Sequence, residues 1–168
     1  YGTRLEELGF RWLAVPMQRR SLNPLREAAL VFWLWRLFRS EKIDQIHCFT
    51  IKSAIYGSLA ARLAGVPGRV NAVAGMGYVF INNDLKTRVL RPVVRTLMRA
   101  AFGGRSARLI LQNPEDVALF VKFQLVASKS IRLIPGSGVD CRRFSPVLER
   151  SMSRPFRVLL AARLLWDK

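Results

Sequence analysis

Short runs of β-branched and apolar residues alternate with helical stretches of ten or more residues along most of this chain. That alternation is the tightest constraint on its fold. Antiparallel neighbours can be joined by a two-residue turn, whereas parallel neighbours need a long crossover, usually a helix. Strands are expected over residues 10–15, 43–49, 69–73, 107–111 and 130–134, with one more over 156–162. Asn23-Pro24 supplies a capping oxygen and a first-turn proline for a helix running to about Ser40. A helix over 52–64 stops at Gly65, with Pro67 beyond it. Asp84 caps a helix that reaches about Phe102, is kinked by Pro92 and ends at Gly103-Gly104. Asn113-Pro114-Glu115 starts the next. With right-handed crossovers these elements make an α/β fold, a doubly wound parallel Rossmann-like sheet.

The expected domain plan is one domain over residues 1–145, a linker over 146–155 marked by Pro146, Pro155 and mixed charge, and the first strand of a second domain over 156–168. Both ends read as cuts, one inside a charged segment and the other just after an apolar strand. No secretory leader is evident. The longest apolar run, residues 28–35, has eight residues, and a spanning helix needs about 20. A cytosolic or peripheral protein is expected.

Charge narrows the partners. Lys plus Arg is 28 and Asp plus Glu is 11, a net charge of +17, and 22 of the basic residues are arginine. Three readings stand: a nucleic-acid binder, a protein lying on an anionic membrane, or an arginine-biased solvated surface. Guanidinium grips phosphate and carboxylate bidentately, which leans toward such partners. Cys48 and Cys141 cannot make a disulfide framework and suit a reducing compartment. His47 is the sole histidine and lies within a strand, so no histidine-rich metal site and no catalytic histidine pair is expected.

In parallel sheets, ligands bind where the carboxyl ends of strands meet loops. Two such loops are glycine-rich: Gly75-Met76-Gly77 and Gly136-Ser137-Gly138. Either is a plain turn or a place where backbone approaches a ligand. Neither completes a dinucleotide fingerprint, because Phe80 and Cys141 stand where the third glycine would fall. On the helix after Asp84, Arg88, Arg91, Arg95 and Arg99 fall within an arc of about 80°. That stripe is either a solvated face or a seat for phosphate, diphosphate or anionic headgroups. The helix after Asn23 carries Phe32, Trp33, Trp35 and Phe38 nearly all round. It is either buried or partly dipped into a membrane interface, where tryptophan is favoured.

Six stretches, taken in order, resemble glycosyltransferase family 4, retaining enzymes of the GT-B fold. Ser21-Leu22-Asn23-Pro24 precedes a long helix. Ile43-Asp44-Gln45-Ile46-His47 is similar to the family's K-P-D-I-V-H strand. Lys52-Ser53-Ala54-Ile55-Tyr56-Gly57, with Leu59-Ala60-Ala61-Arg62-Leu63-Ala64-Gly65-Val66-Pro67, is similar to its K-A-x-x-G and A-A-R-x-A-G-V-P helix. Gly75-Met76-Gly77-Tyr78-Val79-Phe80 is similar to the G-L-G-Y-x-F loop of members that build surface polysaccharides. Ile134-Pro135-Gly136-Ser137-Gly138-Val139-Asp140, with Phe144-Ser145-Pro146, is similar to I-x-G-x-G-V-D and F-x-P. Ala162-Arg163-Leu164-Leu165-Trp166-Asp167-Lys168 is similar to x-R-L-x-x-x-K.

The resemblance implies half of a two-domain enzyme: the acceptor-side domain plus the first donor-side strand. Arg163 and Lys168 match the pair that contacts the donor diphosphate, where two cations can neutralise a leaving nucleoside diphosphate. The implied partners are a nucleotide sugar, expected to be a UDP-sugar, a polyprenyl-diphosphate-linked saccharide and an anionic membrane surface, with no nucleic acid. The implied location is cytoplasmic, peripheral to the inner membrane. No cofactor is expected. The rival reading is a non-catalytic basic α/β module for membrane or nucleic acid. Ala74 or Gly75 stands where many members place a histidine, so no catalytic histidine carries over, and the family's first strand and acidic E-x7-E motif lie outside this sequence.

Overall fold

The computed structural model describes residues 2–18, 21, 23–74, 85–136 and 138–145. Four parallel strands make one sheet: β1 (Gln45–Phe49), β2 (Gly68–Val73), β3 (Ala107–Leu111) and β4 (Ile131–Leu133), in spatial order β1-β2-β3-β4. The helices are α1 (Gly2–Glu7), α2 (Pro24–Ser40), α3 (Ile51–Ala64), α4 (Leu85–Phe102) and α5 (Pro114–Lys122). This is the parallel α/β layer that the alternation demands.

Local chemistry sets the helix ends. Asn23 Oδ1 accepts from the Leu25 amide at 3.0 Å, and Asn113 Oδ1 accepts from the Asp116 amide at 2.7 Å, each ahead of a first-turn proline. Gly65 closes α3 with φ +76, a left-handed cap. α4 runs as one helix past Pro92.

Each crossover moves one strand along in the same direction, so right-handed connections put α3, α4 and α5 on one face. That face holds the core: Val73, Leu109, Leu111 and Ile131 from the strands meet Ala54, Ile55, Met98, Phe102 and Phe120 from the helices. The other face leaves Gln45, His47, Phe49, Arg108 and Arg132 exposed among the described residues. α2 packs as an outer layer, with Leu30 and Leu34 against Ala60 of α3.

One expectation differs from what folds. Residues 10–15 form no strand; residues 10–18 are an irregular strap. Arg11 reaches Glu41 bidentately at 2.7 and 3.0 Å, Met17 packs against the Leu30–Leu34 cluster, and Arg26 donates to Gln18 Oε1 at 2.8 Å. The strap therefore runs antiparallel to α2. Seven steps of extended chain reach about 23 Å, which matches the rise of about 22 Å from Arg26 to Glu41 along a helix. Alternating apolar residues mark a strand only when a neighbour takes up the backbone groups, and here the neighbour is a helix. The short α1 buries none of its residues and has no periodic signal to betray it.

Helix C-termini are held by arginine. Arg62 donates to the Ala100 carbonyl, and Arg69 donates to Ala101 at 3.2 Å and Gly103 at 3.0 Å, closing the end of α4. Burial, and then the nearby Arg62, lower the pKa of Arg69. Guanidinium suits this place because helix ends carry partial negative charge and unpaired carbonyls. The strand expected over 156–162 lies outside the described residues. The described residues 138–145 belong to a second unit, and residues 1–136 make the first.

Candidate functional site

Parallel sheets present their ligand edge at the carboxyl ends of the strands. At the end of β1, the chain turns through Thr50 (φ 72, ψ 154) straight into α3. That backbone region is nearly reserved for glycine, so a β-branched residue there stores strain, on the order of 1–3 kcal/mol. The Thr50 amide donates to Ala72 of β2 at 3.1 Å, and its Oγ1 lies 3.1 Å from Ser53 Oγ.

Lys52, in the first turn of α3, carries the arrangement at this edge. Its ammonium donates to the carbonyl of Gln18 at 2.5 Å, the carbonyl of Ser21 at 3.0 Å and Glu27 Oε1 at 2.9 Å. The two paired side chains are 20% and 12% exposed. One charge thus ties the strap, the first turn of α2 and the first turn of α3. Lys52 Nζ also lies 5.8 Å from the Tyr56 ring centroid. Burial, then the Glu27 carboxylate, push the Tyr56 hydroxyl up to about 12. Beside this knot is a cavity of about 310 Å³ lined by Pro16, Gln18, Ser21, Arg26, Glu27, Ala29, Leu30 and Trp33. It combines an indole and aliphatic walls with amide, hydroxyl, carboxylate and guanidinium groups, a mixture suited to a hydroxyl-rich or diphosphate-bearing ligand.

The residues singled out by sequence lie as follows. Gly75, Met76, Gly77, Ser137, Arg163 and Lys168 lie outside the described residues. Gly136 follows β4, exposed, with open space where a side chain would be. Gly138 belongs to the second unit and has φ +68, also with open space. In that unit Asp140 Oδ1 accepts from the amides of Arg142 and Arg143. Arg88 and Arg99 of the stripe are exposed and Arg91 and Arg95 half-buried. Arg95 Nη2 donates to Phe123 O at 3.2 Å and stacks 5.2 Å from that ring. Arg99 donates to Gln124 O at 2.9 Å and Phe123 O at 3.1 Å. Half of the stripe thus caps the end of α5. His47 is exposed on the open sheet face, its ring 4.3 Å from that of Phe49. No cluster of metal-binding residues occurs among the described residues.

Sequence reasoning did not find the Lys52–Glu27–Tyr56 knot. One signal was present: Glu27 is the only acid in residues 8–40, a stretch with six arginines.

Comparison with known proteins identifies the frame. Residues 3–113 match a family model described as glycosyl transferase 4-like. Over its whole length the chain is similar to N,N'-diacetylbacillosaminyl-diphospho-undecaprenol alpha-1,3-N-acetylgalactosaminyltransferase of Campylobacter jejuni, at 27% identity over 179 residues, covering 47% of that protein. Over 81% of its length it is similar to UDP-Gal:alpha-D-GlcNAc-diphosphoundecaprenol alpha-1,3-galactosyltransferase of Escherichia coli, at 31% identity over 137 residues and 34% of that protein. The chain thus spans less than half the length of these relatives. A parallel α/β layer, a ligand edge at its carboxyl end and a match over two thirds of the residues lead to one statement: the chain belongs to the glycosyl transferase 4-like family.

Proposed function

We propose that this chain is the acceptor-side part of a retaining glycosyltransferase that moves a sugar from a nucleotide sugar, a UDP-sugar, onto a polyprenyl-diphosphate-linked saccharide at the cytoplasmic side of an anionic membrane. The observation that carries this is the match along the whole chain to a protein named for transfer to a diphospho-undecaprenol-linked sugar. The Escherichia coli relative, whose name specifies UDP-Gal, supports the donor class. In this reading residues 1–145 bind the acceptor, residues 146–155 link the domains, and 156–168 open the donor side. The acceptor's polar head is assigned to the carboxyl edge of the sheet at the Lys52–Glu27 knot, and Gly75, Met76, Gly77, Gly136, Ser137 and Gly138 are the cleft-loop residues of this reading. Arg163 and Lys168 face the donor diphosphate.

Acceptor and donor affinity separate the two halves. Titration of the chain with a short-prenyl-diphosphate-linked GlcNAc, followed by NMR, is expected to give saturable shifts around Gln18, Arg26 and Lys52. UDP-sugars at millimolar concentration are expected to give none. Saturable UDP-sugar binding without acceptor binding would reverse the assignment of sides. In the intact enzyme, Arg163→Ala or Lys168→Ala is expected to lower kcat/KM by about 10²-fold, the effect of losing one preorganised charge. Unchanged turnover would remove that residue from the site.

A further inference from the structure

We infer that Lys52 is a positioning residue: its ammonium shapes the neighbouring cavity from outside the lining and has no hydrogen left for an acceptor's diphosphate. The inference rests on the functional reading above and deepens it, by separating the groups that meet the acceptor from the group that holds them in place.

A lysine in the first turn of a helix, at the carboxyl edge of a parallel sheet, stands where phosphates are commonly gripped. Position alone would make Lys52 such a ligand. Its hydrogen bonds give it a different task. An ammonium has three hydrogens and no acceptor. They go to the Gln18 carbonyl at 2.5 Å, the Ser21 carbonyl at 3.0 Å and Glu27 Oε1 at 2.9 Å. The Tyr56 ring lies 5.8 Å from the same nitrogen. A diphosphate reaches that nitrogen only by displacing one of the three acceptors.

Those acceptors belong to residues that line the cavity, all three of them, whereas Lys52 and Tyr56 are not among the lining residues. The Gln18 carbonyl also accepts the Ser21 amide at 3.3 Å, so one charge holds both ends of a turn. Ser21 Oγ accepts the Asn23 amide at 3.3 Å, and Asn23 caps α2. Lys52 therefore sets the polar lining at the point where the strap gives way to α2, opposite in character to the apolar lining from Leu30 and Trp33. The pairing also offsets the Glu27 charge, which alone would repel a diphosphate brought to this edge.

Arginine separates the two roles. A tetrahedral ammonium converges its hydrogens on acceptors from two segments, and a planar guanidinium does not. A lysine that binds diphosphate tolerates replacement by arginine, whose fork grips phosphate bidentately. A lysine that positions these three acceptors does not.

The test is titration of the chain and its variants with short-prenyl-diphosphate-linked GlcNAc. It is run at a temperature where circular dichroism shows each protein fully folded, so global stability does not enter the affinity. Lys52→Met and Lys52→Arg are both expected to weaken binding roughly tenfold or more, the scale of a misplaced binding group. Where Lys52→Met does not fold, Lys52→Arg carries the test. In the intact enzyme both variants are expected to raise KM for the acceptor and to leave kcat and the donor KM within about twofold. Wild-type affinity in Lys52→Arg overturns the inference and makes Lys52 a diphosphate ligand. So does a fall in kcat at unchanged KM, which would mean contact with the reacting atoms. Amide NMR spectra without ligand separate this inference from the functional reading. The Gln18, Ser21 and Glu27 amides are expected to shift in Lys52→Arg while those of β3 stay in place; unmoved amides overturn the inference. Absence of acceptor binding by the wild-type chain, with those amides shifted, would sink the functional reading and leave Lys52 as the residue that shapes the cavity.

Discussion

Lys52 sits between three acceptors from two other segments, and its replacement by methionine leaves Glu27 without its cation in a mostly buried place. A destabilisation of about 2–3 kcal/mol is expected, at or below the range for breaking a fully buried pair because some water reaches both groups. Urea unfolding measures it, and Glu27→Gln in the Lys52→Met background is expected to restore part of the loss. Two neighbours make stability fall in alkali. Burial pushes the Cys48 thiol up from 9.0 to about 11, and Tyr56 rises from 10.0 to about 12. In each case the folded state holds its proton longer than the unfolded chain. The contribution is therefore complete below pH 9 and is lost as pH climbs from 9 to 12. Chemical-denaturation midpoints taken at half-unit steps should be flat below pH 9 and decline above it, and Cys48→Ala should flatten the part from 9 to 11. In the sequence only Glu27, the one acid among the six arginines of residues 8–40, hinted at this. The residues that form the knot are numbered 18, 21, 27, 52 and 56, and only the docking of strap, α2 and α3 brings them together.

Helix caps were the most legible features, because their chemistry is local: Asn23, Asn113 and Gly65 each act within a few residues of where they stand. The four strands of the sheet were legible for a related reason, since runs between good caps have few alternatives. The strap was not, because the same apolar spacing serves a strand or an extended chain laid on a helix. Close approach between elements was also hidden. Gly57 of α3 lies over Cys48 of β1, and a methyl group there would come 2.6 Å from Cys48 Sγ. Alanine is normally favoured over glycine inside a helix by about 1 kcal/mol. Gly57→Ala is expected to destabilise all the same, and Cys48→Ala to rescue it beyond additivity. A thermal double-mutant cycle checks this; simple additivity would show that the sulfur is not the obstacle.

The family was readable from ordered motifs because they run through most of the chain, yet the loops that carry several of them lie outside the described residues. The expectation that two walls are needed for transfer concerns the complete molecule. A cleft enzyme positions the acceptor on one side and stabilises the leaving diphosphate on the other. A radiolabel assay of this chain alone with UDP-sugars and lipid-linked acceptor is expected to yield no product; turnover would mean that one wall suffices. The arginine-capped helix ends have a consequence of their own. Among the described residues there are two ion pairs, whereas Arg62, Arg69, Arg95 and Arg99 are answered by peptide carbonyls. A carbonyl does not take up a proton in mild acid, so these contacts outlast the carboxylates as pH falls. They can be lost by competition instead. A soluble polyanion such as polyphosphate offers each guanidinium a stronger acceptor than a carbonyl does, and drawing Arg69 away uncovers the last turn of α4. Polyanion then acts as a solvent for helix ends, raising amide hydrogen exchange there before the sheet is touched.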